Sequence, residues 1–74
     1  MHKIIVANNV ERKTVIASPD YTLDKVIEES GIAMGSARPY LDGESVYGKT
    51  HMTLKELGVG DIAHLTAVAN KDNN

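Results

Sequence analysis

The segment T-L-D-K-V-I-E-E-S-G, from Thr22 to Gly31, is the longest stretch of this chain with helical periodicity, and it dictates what the remainder must be. Leu23, Val26 and Ile27 fall at i, i+3 and i+4 and make one apolar stripe, while Asp24, Lys25, Glu28 and Glu29 face water. Thr22 stands where an N-cap belongs, Asp24 complements the positive end of the helix dipole, and Gly31 supplies a left-handed C-cap. A helix of about two turns with so narrow a stripe cannot enclose a core by itself, so it must lie on a sheet. Length presses in the same direction. The chain has 74 residues, enough for one domain with one core, and a domain that small buries only about 60% of the surface its unfolded chain exposes. With no Cys, neither disulfides nor thiolate-bound metal can staple it.

The sheet is legible in the β-branched runs. Lys3 to Ala7 and Arg12 to Ala17 flank Asn8-Asn9, residues that tolerate positive φ, and together read as a hairpin. Ile4, Val6, Val15 and Ala17 are expected to face inward, leaving Ile5, Thr14 and Ile16 on the other face; the opposite register is set aside because it would bury Lys3 and Lys13. Ser18-Pro19-Asp20-Tyr21 breaks the strand before the helix, and Ile32 closes the core just past its cap. Arg38 to Leu41, turned at Asp42-Gly43 into Glu44-Ser45-Val46, reads as a weak second hairpin. Thr53 to Leu57, ended by Gly58, reads as a single capped helical turn, after which Val59 points inward. Gly60-Asp61 leads into a last strand, Ile62 to Val68. There Ala63, Leu65 and Ala67 compete with Ile62, Thr66 and Val68 for the inner face, and the first set is chosen because it places His64 outside. The order of hairpin, helix, short strands, helical turn and final strand predicts an α+β fold: a mixed sheet with one helix packed across one face. The expected domain spans residues 1–69, with 70–74 as a flexible polar tail.

Hydrophobic residues make up 42% of the chain, charged residues 24%, and the formal net charge is −2. Nucleic acid is not expected as a partner, since it would need a basic surface. No window approaches the roughly 18 consecutive apolar residues of a membrane span, and M-H-K-I-I-V-A-N-N turns polar too early for a signal peptide, so no membrane association is expected and the cytoplasm is the expected location.

One motif argues otherwise. G-E-S-V-Y-G-K-T, Gly43 to Thr50, fits the phosphate-loop pattern G-x-x-x-x-G-K-[ST] at every fixed position. A phosphate loop works by following a buried strand and opening a helix, whose N-terminal amides cradle the phosphates. Here it follows a short hairpin, and the next helical piece starts near Thr53, too late and too short. Nucleotide binding is therefore not expected, and Lys49 is no ligand on this reading. His2, His51 and His64 lack helical or cysteine partners that would suggest a metal. No Ser or Thr stands in a G-x-S-x-G context, so no catalytic site and no cofactor are expected. Asp24, Glu28 and Glu29 read as a solvated helix face.

The same segments carry a resemblance. A-S-P-D-Y-T-L-D-K-V, Ala17 to Val26, is similar to the run from the second strand into the helix of ubiquitin, with the Pro, the capping Thr and the apolar helix positions in step. The likeness resumes at Leu41-Asp42-Gly43, at Thr53-Leu54 with Leu57 and Val59, and at His64-Leu65. In order and spacing the chain resembles ubiquitin and the β-grasp family. It also resembles, more loosely, small ubiquitin-like proteins of mobile conjugative elements in Gram-positive bacteria, which implies a bacterial origin.

Ubiquitin-like modifiers and sulfur carriers share a C-terminal Gly-Gly whose carboxylate is adenylated, glycine being required because the tail threads a narrow channel. This sequence contains no Gly-Gly. Taken as the full protein, it is therefore expected to be neither modifier nor carrier; a carrier or modifier without its diglycine tail here is the alternative, and a self-associating structural protein another. The resemblance implies instead a non-enzymatic module that binds a protein partner non-covalently through the outer face of the sheet. Matched motif to motif, the binding positions are Tyr40, His64 and Thr66, with Ile5 and Val68 as neighbours. Thr66 stands where the family has an aliphatic residue.

Overall fold

The computed structural model describes residues 1–35 and 37–68. In chain order the elements are β1 (His2–Ala7), β2 (Arg12–Ala17), α1 (Leu23–Ser30), β3 (Arg38–Leu41), β4 (Glu44–Ser45), α2 (Leu54–Leu57) and β5 (Ile62–Val68). The strands form one sheet in the order β2-β1-β5-β3-β4. β1 and β5 run parallel at its centre, and the remaining neighbours are antiparallel. The expected tail, 70–74, and Ala69 lie outside the described residues.

The expected inner face is the observed one. Ile4, Val6, Val15, Ala17, Ala63, Leu65 and Ala67 are buried, and Leu23 and Val26 of α1 close over them with Ile32, Leu41, Val46 and Leu54. Ile27 and Val59 are half-buried against this core. Lys13 departs from expectation: it lies opposite Val6, on the same side of the sheet as Val15, rather than being kept off that side. It remains exposed because β2 is an edge strand and its long stem reaches past the core to water.

The turns follow from local chemistry. Thr22 Oγ1 accepts from Lys25 N–H at 3.1 Å, and Gly31 ends α1 at φ 72°. Ser30 is buried near that end, donating to the Ile27 carbonyl at 2.7 Å and accepting from Ile32 N–H at 3.1 Å. Asp42 (φ 51°) and Gly43 (φ 89°) both take positive φ, as a tight primed hairpin turn requires. Asn8-Asn9 does not work as expected, for among the described non-glycine residues only Asp42 has positive φ. Asn8 instead shapes its loop through its side chain, Oδ1 accepting from Val10 N–H at 2.9 Å and Glu11 N–H at 2.8 Å.

Gly43 to Thr50 forms the hairpin turn, β4 and a loop, as the hairpin reading expects. The loop folds back on α1: the Leu23 and Asp24 amides donate to the carbonyls of Met52 and Thr50 at 3.3 and 3.0 Å. In return the first amides of α2, Leu54 and Lys55, donate to the carbonyls of Tyr21 and Pro19 at 2.8 and 3.1 Å. Each helix start thus finds acceptors in the segment leading to the other, which satisfies groups that a helix cannot satisfy internally.

Candidate functional site

Because α1 covers one side of the sheet, strand alternation leaves Lys3 and Ile5 of β1, Arg12, Thr14 and Ile16 of β2, Arg38 and Tyr40 of β3, and Ile62, His64, Thr66 and Val68 of β5 on the other. The five expected binding positions come together there. Ile5 stands opposite His64 across the β1–β5 pair, and Tyr40 stands opposite Thr66 across the β5–β3 pair. His64, Thr66 and Val68 follow one another along the outward side of β5, so the five are contiguous. Tyr40 and Ile5 are half-buried by their neighbours, whereas Ile16, Ile62 and Val68 are 54%, 59% and 43% exposed.

Sequence reasoning passed over two contributors. Ile62 was weighed only as a rival for the core, yet it lies opposite Lys3, with Ile16 opposite Lys3 on the other side, so the three form a row across the sheet. Tyr47 is 67% exposed, and the Arg38 guanidinium stacks on its ring at 5.0 Å from the centroid. That contact joins Tyr47 to the face beside Val68, the residue opposite Arg38. An aromatic residue in a polar, glycine-flanked loop was the available signal, and the phosphate-loop pattern drew attention from it.

His64 is anchored by the neighbouring turn. Its N–H donates to Asp42 Oδ1 at 2.9 Å, Asp42 N–H donates to the His64 carbonyl at 2.8 Å, and Nδ1 lies 4.0 Å from Oδ1. This pairs the β3–β4 turn with β5 and fixes the height of Tyr40 beside Thr66. His2 is separate, its Nδ1 lying 2.6 Å from the Gly60 carbonyl oxygen at the start of the sheet.

Charge is segregated between the two sides. The outward strand positions carry Lys3, Arg12 and Arg38 and no carboxylate, while the exposed side of α1 carries Asp24, Glu28 and Glu29 with Lys25. A chain of net charge −2 therefore sets three basic strand residues around its outer apolar strip, with the Asp42 carboxylate beside His64 as the acid on that side.

The phosphate-loop segment has no such construction. No helix opens at Thr50: α2 begins at Leu54, and the Lys49 N–H is used within the loop, donating to the Val46 carbonyl at 2.8 Å. Among the described residues no group of His, Asp and Glu side chains is gathered to hold a metal ion, and no helix is long and apolar enough to cross a membrane.

No protein-family model matches the chain, and no curated protein matches it. Among solved structures it is similar to a ubiquitin-like protein from the hyperthermophilic archaeon Caldiarchaeum subterraneum, with 19% identity and a TM-score of 0.55, covering 96% of this chain and 99% of that one. The mixed five-stranded sheet, the single long helix across one face and this likeness agree: the chain has the ubiquitin-like β-grasp fold.

Proposed function

We infer that this protein is a non-enzymatic module that binds a protein partner non-covalently through the open face of its sheet. The supporting observation is the contiguity of Ile5, His64, Thr66, Tyr40 and Val68 on a side that no element among the described residues covers, with Lys3, Arg12 and Arg38 around them. Tyr40 is suited to such a role because an aromatic ring buries a large area at low entropic cost and keeps a polar handle. The three basic strand residues favour a partner segment with apolar side chains flanked by Asp or Glu, since complementary charge speeds encounter and rejects basic surfaces. The same reading sets the protein in the bacterial cytoplasm, on its resemblance to the mobile-element proteins.

The test is capture of the tagged protein from the native cell, recovered in parallel under native and denaturing conditions, with Tyr40→Ala/His64→Ala alongside. A partner released by denaturant and lost about tenfold or more from the double variant supports this reading, whereas Glu28→Ala on the opposite side should leave its recovery unchanged. A partner that survives denaturation is covalently attached, which would establish the carrier or modifier reading instead.

A further inference from the structure

The sheet has two edges, and they are unequal. β4 offers only Glu44 and Ser45, too short to hold another strand, while β2 offers six residues from Arg12 to Ala17 with no strand beyond it among the described residues. The hairpin sets which backbone groups of β2 are free. Asn8 N–H donates to the Glu11 carbonyl at 2.9 Å, and with the unbroken register this makes Val6–Lys13 and Ile4–Val15 the mutually bonded pairs. The N–H and C=O groups of Arg12, Thr14 and Ile16 therefore point away from β1, toward the open edge.

We propose that β2 is a homotypic docking edge, on which a second copy of this chain pairs antiparallel to form a closed two-fold dimer with one continuous sheet. The order of side chains along the strand selects this occupant. R-K-T-V-I-A carries both cations at one end and apolar residues at the other. A second copy laid parallel would set Arg12 on Arg12 and Lys13 on Lys13, and like charges directly opposite are destabilising. Laid antiparallel about Thr14, it sets Arg12 opposite Ile16 and Lys13 opposite Val15, and Thr14 opposite Thr14 of the second copy, a favourable cross-strand pair. This register also joins the free N–H and C=O groups to one another and keeps both helices on the same side.

The neighbouring registers are worse for identifiable reasons. A shift of one residue turns the helix-covered side of one sheet to the open side of the other. A slip of one pair in one direction brings Lys13 onto Lys13, and in the other direction it pushes Arg12 past the end of β2. Lys13 lies on the helix side of the seam, where this register sets it opposite Val15 of the second copy. Among the described residues of the single chain Lys13 has no ion-pair partner, the pairs there being Lys25–Glu29 and His64–Asp42. Because the interface uses the same edge of both copies and leaves only the short β4 edges outside, assembly stops at the dimer. β1, β5 and β3, which carry the five candidate binding positions, are untouched by the seam; of the open-face residues named above, Arg12, Thr14 and Ile16 lie on β2.

The experiment is sedimentation equilibrium of the full chain from about 10 μM to about 1 mM, the range suited to an interface below about 1,200 Å², with amide hydrogen exchange at both extremes. A monomer–dimer equilibrium is expected, with the Arg12, Thr14 and Ile16 amides becoming protected as concentration rises. Ile16→Glu should tighten the dimer about fivefold, by facing Arg12 of the second copy with a carboxylate, and Ile16→Lys should weaken it by a similar factor. Thr14→Pro, which removes a donor the single chain does not use, should abolish it. A strict monomer at about 1 mM, or a dimer that responds alike to Ile16→Glu and Ile16→Lys, would overturn the proposal.

Discussion

At the scale of single residues, Asp42 does the most with the least. It holds a left-handed backbone conformation that Asp and Asn tolerate better than other non-glycine residues, and its carboxylate accepts the His64 N–H. Asp42→Ala removes the acceptor and the tolerance together, so urea unfolding should show a loss of about 1–2 kcal/mol. Asp42→Asn keeps both and should stay within about 0.5 kcal/mol of the parent. Much at this scale is legible in sequence, because a cap or a turn residue acts on its immediate neighbours: Thr22, Gly31, Thr53 and the Asp42-Gly43 pair all take the conformations their chemistry implies. Asn8 was misread because two mechanisms, positive φ and side-chain bonding to the loop, use the same residue type. Tyr47 was missed because its partner, Arg38, comes from another element and no local signal joins them.

At the scale of elements, the two helices depend on each other. Thr22 and Thr53, the two N-caps, also form an isolated bridge, and the crossing bonds from Leu23, Asp24, Leu54 and Lys55 surround it. α2, with only Leu54–Leu57, could not persist alone; its capping box, in which Thr53 and Glu56 satisfy each other's amides at 2.9 and 3.1 Å, needs a fixed platform. Thr53→Ala should cost about 1 kcal/mol, and Thr22→Ala a similar amount. Because the caps share one structure, the double variant should depart from the sum of the two by more than about 0.5 kcal/mol, as measured in a double-mutant cycle. The caps themselves could be read from the sequence. That the loop after β4 would supply acceptors for α1 could not, since the partners lie far apart along the chain.

At the scale of the whole molecule, the two faces of one sheet separate stability from recognition. Leu65 is fully buried at the centre, and Leu65→Ala should cost about 2–5 kcal/mol, a large fraction of the stability of a domain this size. Ile5→Ala and Thr66→Ala, on the open side, should change stability by less than about 1 kcal/mol while weakening partner capture. Strand alternation made this division readable in advance, down to the choice of Ala63, Leu65 and Ala67 over Ile62, Thr66 and Val68. The segregation of charge was not visible along the chain, where acids and bases are interspersed; only the register gathers Lys3, Arg12 and Arg38 on one side. The most direct measurement is amide chemical-shift mapping of the isotope-labelled protein titrated with its captured partner. Shifts concentrated at Ile5, Tyr40, His64, Thr66 and Val68, and abolished by Tyr40→Ala/His64→Ala, are the predicted result. Shifts confined to α1 and the loop from Tyr47 to Met52, with the open face silent, would contradict it.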